Sequence, residues 1–228
     1  GYGCLPRKVR NSGNFSKYIS FIMFRYGLQF YVSSLLSELL QNSNKLVATV
    51  LLKPQFIGFL IQGDRFGGLL ERIMAPLNTS IMPAISRTKT KDSISLVLTT
   101  FRISSLLLIL ISLIIILLIK PIILIFYGIE YSNIYLAVYL LLPGYYFLSM
   151  SLILKAFYSG TGKEIIHAYL QVIPIFIQLL LSFLLINKFG FYGAAISFSC
   201  SMFSLIIISV LYFFKTNKLN LLDLIIKK

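Results

Sequence analysis

Long apolar stretches separated by short polar or basic segments run through the whole sequence. The clearest of them, ISSLLLILISLIIILL at residues 103–118, approaches the roughly 20 residues that a helix needs to cross a bilayer. The apolar residues are continuous and do not alternate with polar ones, which is typical of helical spans. The pattern predicts an all-α, polytopic transmembrane helix bundle with six spans. The predicted helices cover residues 18–52, 55–86, 94–127, 134–159, 165–186 and 192–214.

A polar patch, QNSN at residues 41–44, interrupts the first of these helices. The patch could form an external turn, or it could lie within one long helix. The apolar segment after it, KLVATVLL at residues 45–52, is too short to cross a bilayer alone. We therefore favour one long helix that ends at Lys53-Pro54.

The second predicted helix combines two prolines with four charged residues. Asp64 and Glu71 are seven residues apart, as are Arg65 and Arg72, so each pair returns to nearly the same face of a helix. One charged residue at the centre of a bilayer costs about 2.5–3.5 kcal/mol on insertion scales. The charges therefore predict that this helix lines a water-filled cavity, while internal ion pairs along the helix remain the alternative.

The first predicted helix adds two more embedded charges, Arg25 and Glu38. Ionisable residues inside a membrane usually face a pathway or a water-filled cavity. An arginine side chain can grip a phosphate group with two parallel hydrogen bonds. The first two helices therefore predict the wall of a cavity that suits an anionic, phosphate-bearing ligand.

Composition and charge agree with a membrane protein. The chain of 228 residues is 57% hydrophobic and 12% charged, whereas a soluble domain has about 25% charged residues. The net charge is +14, and the basic residues concentrate in segments 1–17, 87–93 and 217–228. Because basic loops stay on the cytoplasmic side, we expect both ends of the chain there, and we expect no binding to nucleic acid.

Few residues could support catalysis. The segment SGTGKE at residues 159–164 is not a P-loop, because Glu164 follows Lys163 where a serine or threonine is needed. The single histidine, His167, is expected to face lipid headgroups at the start of a helix. With this histidine and seven carboxylates in the chain, we expect no enzymatic activity, no cofactor and no metal site.

Four motifs, in this order, carry a resemblance to a known family. They are GFLIQGDRF at 58–66, MAPLNTSIMPAISR at 74–87, PIILIFYGIEYSNIYLAVYLL at 121–141 and FGFYGAAIS at 189–197. Together they resemble the Wzx-type O-antigen and oligosaccharide flippases of the polysaccharide transporter family. This family belongs to the multidrug/oligosaccharidyl-lipid/polysaccharide (MOP) flippase superfamily, and the resemblance covers residues 18–216.

The resemblance implies one lobe of a two-lobe MOP/MATE-like transporter. Residues 18–216 would form the C-terminal transmembrane lobe, segment 1–17 a cytoplasmic inter-lobe segment, and segment 217–228 a basic cytoplasmic tail. Because the chain does not begin with Met, we expect a fragment that lacks the first lobe. The implied location is the bacterial plasma (inner) membrane.

The resemblance also implies a function. It predicts a flippase that moves an undecaprenyl-pyrophosphate-linked oligosaccharide, an O-antigen or capsule repeat unit, across the membrane by alternating access. The implied partners are that lipid-linked oligosaccharide, membrane lipids, the N-terminal lobe and a polysaccharide polymerase. The alternatives are a multidrug exporter of the same superfamily and a non-transporting membrane scaffold.

The resemblance gives the embedded charges two expected roles. The residues expected to contact the pyrophosphate are Arg25, Arg65 and Arg72. The residues expected to pair with these arginines or to hold a coupling ion are Glu38, Asp64 and Glu71.

Overall fold

The computed structural model describes residues 15–88 and 90–217, and within them it contains seven α-helices, one short 3-10 turn and no strand. This confirms the predicted all-α bundle. The predicted segments 1–17 and 217–228 lie almost entirely outside the described residues. The helices are α1 (Phe15–Leu51), α2 (Pro54–Gly67), α3 (Leu69–Arg87), α4 (Thr90–Phe126), α5 (Asn133–Gly160), α6 (Glu164–Phe189) and α7 (Phe191–Asn217), and the 3-10 turn is Ile129–Tyr131.

Helix α1 continues through the polar patch, as the favoured interpretation predicts. The patch is helical because its side chains find partners on their own helix and on another one. The Asn42 side chain donates to the backbone oxygen of Glu38, at 3.1 Å. Asn44 is fully buried and its amide lies 3.3 Å from the backbone oxygen of Ala194 in α7. The patch therefore joins helices and does not form a turn.

The predicted second helix is two helices, because the chain breaks at Gly68 between α2 and α3. The predicted single helix is wrong in this respect. Neighbouring Gly67 lies directly against α5, where an added Cβ would come within 2.8 Å of the Tyr145 ring. Two adjacent glycines weaken a helix locally and allow another helix to approach closely. The break therefore lies next to a close contact with α5.

Four helices in the described residues are long and apolar enough to cross a membrane, at Asp92–Phe126, Ile129–Gly160, Glu164–Phe189 and Phe191–Asn217. The predicted count of six spans is therefore too high by this measure. The two segments that fall short are α1, with its charges and polar patch, and the broken α2–α3 segment. At 1.5 Å per residue, α2 and α3 are about 21 and 29 Å long.

Helix α5 packs against α2, α3, α4 and α7, while α6 packs against α1 and α7. Buried hydroxyl and amide groups join α6 to α7: the Ser182 and Ser197 hydroxyl oxygens are 2.8 Å apart, and the Ser201 hydroxyl donates to Gln178 at 2.9 Å. Such contacts matter in a bilayer, because apolar burial between helices provides little driving force there. This packing leaves a gap between α1 and α3, above α5 and α6.

Candidate functional site

The gap between α1, α3, α5 and α6 is a polar cavity. Its volume is about 180 Å³, and a second hollow of about 270 Å³ adjoins it and shares Glu71 and Lys155. We call the two together the polar cleft. Its polar lining is Ser34, Ser37, Glu38, Gln41, Glu71, Ser151, Lys155, His167 and Gln171, and Asn78, Thr79 and Ser159 in the second hollow.

Helix α1 forms one wall of the polar cleft. Ser34 and Gln41 are each three or four residues from both Ser37 and Glu38, which places the four side chains on one face of a helix. The Gln41 amide donates to a carboxylate oxygen of Glu71 in α3, at 3.3 Å. This hydrogen bond crosses the cleft and holds its two walls in register.

Lys155 of α5 forms the charged floor of the polar cleft. Its ammonium nitrogen lies 3.4 Å from the Ser37 hydroxyl, and the carboxylates of Glu38, Glu71 and Glu164 are close enough to interact with it electrostatically. Within the described residues, however, no carboxylate oxygen comes within 4.0 Å of this nitrogen. An ammonium has three donors, so Lys155 retains donors for a ligand.

His167 and Gln171 of α6 complete the floor. Each is 2% exposed, so the expectation that His167 faces lipid headgroups is wrong. The Gln171 amide donates to Ser37 at 2.7 Å and lies 3.0 Å from Nδ1 of His167. Nε2 of His167 and Oε1 of Gln171 have no hydrogen-bond partner in the described part of the chain. Buried polar atoms are normally paired, so these two atoms are exceptions in the wall of the cleft.

A second polar cluster joins α1, α2 and α5 and has Asp64 at its centre. Lys45 of α1 forms an ion pair with Asp64 at 2.5 Å, and the Tyr145 hydroxyl of α5 donates to the other carboxylate oxygen of Asp64. Lys45 also donates to the Asn42 side chain at 3.0 Å. Asp64 is thus paired with α1 and α5, and not with Arg65 or Arg72 along the predicted second helix.

The structure divides the six predicted site residues among three environments. Glu38 and Glu71 line the polar cleft, and Asp64 lies in the ion-paired cluster. The three arginines are exposed, and within the described residues none of them lies within ion-pair distance of a carboxylate. They are Arg25, Arg65 and Arg72.

The sequence prediction missed Lys155, His167 and Gln171. Two patterns indicated them: Ser151 and Lys155 are four residues apart in an otherwise apolar helix, and so are His167 and Gln171. Residues four apart share one face of a helix, so each pair marks a short polar stripe. The prediction did not combine these stripes with the charges of the first two helices.

This chain is similar to a known protein family and to a solved structure. Residues 5–136 match the family described as "Polysaccharide biosynthesis protein". The fold is similar to a structure titled "Outward-facing conformation of a multidrug resistance MATE family transporter of the MOP superfamily", with a TM-score of 0.73, 16% identity, and coverage of 90% of this chain and 48% of that one. This chain therefore spans about half the length of that transporter. No curated protein matches the chain.

Proposed function

This chain belongs to the polysaccharide biosynthesis protein family, and we propose that it is part of a flippase for a lipid-linked oligosaccharide. The substrate is an undecaprenyl-pyrophosphate-linked O-antigen or capsule repeat unit, moved across the bacterial plasma membrane by alternating access. The observation that carries the proposal is the polar cleft, which Lys155, Glu38 and Glu71 line together inside a bundle of apolar helices. The MATE-like fold supports the proposal.

The cleft has the chemistry that this task requires. A pyrophosphate-sugar head cannot cross hydrocarbon without partners, because unpaired polar and charged groups are costly there. Lys155 has free donors for a phosphate oxygen, and charge-assisted hydrogen bonds of this kind are strong. The hydroxyl and amide groups of the cleft suit sugar hydroxyls. The lipid tail remains in the bilayer between helices.

The exposed arginines act on the same substrate in this proposal. Arg25, Arg65 and Arg72 contact the pyrophosphate from the surface that faces the rest of the transporter. Arg72 is close enough to Tyr145 to interact with it electrostatically, which places it beside the Asp64 cluster. Charges outside the cleft therefore capture the head group, and Lys155 receives it.

The carboxylates carry the second role in this proposal. Glu38, Asp64 and Glu71 pair with the cations of the site when the substrate is absent, or they hold a coupling ion. The lobe is completed by an N-terminal one, both ends of this chain are cytoplasmic, and a polysaccharide polymerase uses the product. The proposed role is transport, not catalysis.

The experiment replaces the cations one at a time in the full-length protein. Lys155→Gln, Arg65→Ala and Arg72→Ala should each abolish surface polysaccharide at a normal protein level. Lys163→Gln is the matched control, because Lys163 lies exposed in the turn between α5 and α6. Normal polysaccharide in all three test variants would overturn the proposal.

A multidrug exporter is the second candidate, and the carboxylates of Glu38 and Glu71 in the cleft are the observation that favours it. Acidic side chains attract cationic drugs. Export of ethidium from cells that express the full-length protein distinguishes the two functions. A flippase leaves ethidium accumulation unchanged, whereas an exporter lowers it and loses this effect in Glu71→Gln.

A further inference from the structure

A second pocket lies away from the polar cleft, between α2 and the 3-10 turn that precedes α5. Its volume is about 390 Å³, within the range of small-molecule sites. Tyr127, Tyr131 and Phe59 provide aromatic rings, and Gln55, Gln62 and Glu130 provide polar groups. We call it the aromatic pocket.

The rings of the aromatic pocket pack against one another, and two of them remain partly exposed. Tyr131 lies 6.0 Å from Phe59 and 6.1 Å from Tyr127, measured between ring centroids. Phe59 is buried, whereas Tyr131 is 44% exposed and Tyr127 is 38% exposed. The two exposed rings therefore pack, directly or through each other, on a buried one.

The polar groups of the aromatic pocket are not used by the protein itself. In the described part of the chain, the side chains of Gln55, Gln62 and Glu130 make no hydrogen bond and no ion pair to another residue. Two amides and a carboxylate offer both donors and acceptors. The space is also open at Gly58, where an added Cβ would meet no atom within 4 Å.

This combination fits a saccharide better than a drug or a lipid tail. A sugar ring has apolar C–H faces that pack on aromatic rings, and it has hydroxyl groups that both donate and accept hydrogen bonds. A lipid tail would pack on the rings but would use neither the two amides nor the carboxylate. An apolar cation would use the rings and Glu130 but neither glutamine.

The pocket and the polar cleft lie on different sides of the α2–α3 segment. Gln62 of the aromatic pocket and Glu71 of the cleft are nine residues apart, which is about 14 Å of helical rise and about two and a half turns. A head group with several sugars would have to extend around this segment to occupy both places. The pyrophosphate end would lie at the cleft and a distal sugar at the aromatic pocket.

We propose that the aromatic pocket binds a sugar unit of the lipid-linked oligosaccharide and selects the repeat unit that is carried. This inference rests on the proposed function and adds a site to it. The pyrophosphate is common to all such substrates, whereas the sugars differ. A separate saccharide pocket lets the protein discriminate among substrates that share the same lipid and phosphates.

The test compares two probes with the full-length protein in lipid nanodiscs. One probe is undecaprenyl pyrophosphate without sugar, and the other is the undecaprenyl-pyrophosphate-linked oligosaccharide extracted from the host cell. Gly58→Trp fills the aromatic pocket, and Tyr131→Ala removes one of its exposed rings. Each variant should bind the glycosylated lipid about tenfold more weakly, the effect of one well-placed ring contact or hydrogen bond, and should bind the sugar-free lipid as the wild type does.

Matched control variants distinguish a change in the pocket from a general loss of folding or binding. Gly27→Trp adds the same side chain at another open glycine, and Tyr169→Ala removes an exposed tyrosine of α6 that lies outside the pocket. Both should bind both lipids normally. Lys155→Gln, in the cleft, should weaken the binding of both lipids.

The binding measurements determine whether the aromatic pocket recognises a saccharide. Normal binding of the glycosylated lipid by Gly58→Trp and Tyr131→Ala would overturn the saccharide pocket and leave the proposed function standing. Equal losses for both lipids would also overturn it, because the pocket would then not recognise sugar. A wild-type protein that binds neither lipid would instead refute the proposed function, and the saccharide pocket with it.

Discussion

Replacing Asp64 by asparagine removes the negative charge from the cluster that joins α1, α2 and α5. Asparagine keeps an oxygen that can accept from Tyr145, so the change isolates the ion pair with Lys45, whose atoms are 2.5 Å apart. The Lys45 and Asp64 side chains are 22% and 18% exposed. Breaking a fully buried pair costs about 3–5 kcal/mol, whereas exposed pairs contribute about 0–1 kcal/mol. For this partly buried pair we expect Asp64→Asn to cost about 2 kcal/mol of unfolding free energy.

A double-mutant cycle measures the pair itself. We would determine the free energy of unfolding in mixed detergent micelles for the wild type, Asp64→Asn, Lys45→Gln and the double variant. The loss in the double variant should be smaller than the sum of the single losses by about 1–2 kcal/mol, because the first change already removes the interaction. Lys53→Gln, at an exposed lysine at the start of α2, is the control and should change stability by less than about 0.5 kcal/mol.

Additive losses of unfolding free energy in the two single variants would contradict this prediction. If the two single changes add within about 0.3 kcal/mol, then Lys45 and Asp64 do not stabilise each other, and α1 is not held to α2 by charge. A stable Asp64→Asn variant with an unchanged unfolding free energy would lead to the same conclusion.

The remaining predictions concern packing and access. Gly193→Ala should cost about 3 kcal/mol in thermal unfolding of the purified protein, because its Cβ would clash with the backbone oxygen of Leu185, which cannot move away easily. Gly27→Ala, where a Cβ meets nothing within 4 Å, is the control and should gain about 0.5–1 kcal/mol; equal stabilities would refute the predicted clash. In a cysteine-free background, a water-soluble maleimide should label Ser37→Cys in the polar cleft and should not label Ser149→Cys, which replaces a fully buried serine of α5. Absence of label at both positions would favour the non-transporting scaffold.

The helices were largely predictable because the length and hydrophobicity of each apolar segment indicate a helix without reference to the rest of the chain. A segment enters a bilayer according to its own hydrophobicity and must satisfy its own backbone hydrogen bonds. The predicted last helix at residues 192–214, for example, compares with Phe191–Asn217 in the structure. The turn at Gly162 was also predictable, since a tight polar turn between two apolar runs is a local feature, and the structure shows a φ of +73° there.

The candidate site was only partly predictable. The sequence indicated Glu38 and Glu71 by charge in an apolar context, and both line the polar cleft. It also indicated that Asp64 and Glu71 share one face and that Arg65 and Arg72 share the next, since neighbouring residues in a helix point about 100° apart. That angle separates an exposed arginine from a carboxylate that is paired with Lys45.

The sequence by itself determined that this chain is a bundle of membrane helices with charges in its first segments, because hydrophobicity and charge are properties of each segment alone. Only the tertiary structure decided which of those charges meet. Lys155 of α5 lies 3.4 Å from the Ser37 hydroxyl of α1, and the Tyr145 ring of α5 packs against Gly67, next to the residue that separates α2 from α3. Both contacts join residues that are distant in the chain, so no local pattern encodes them.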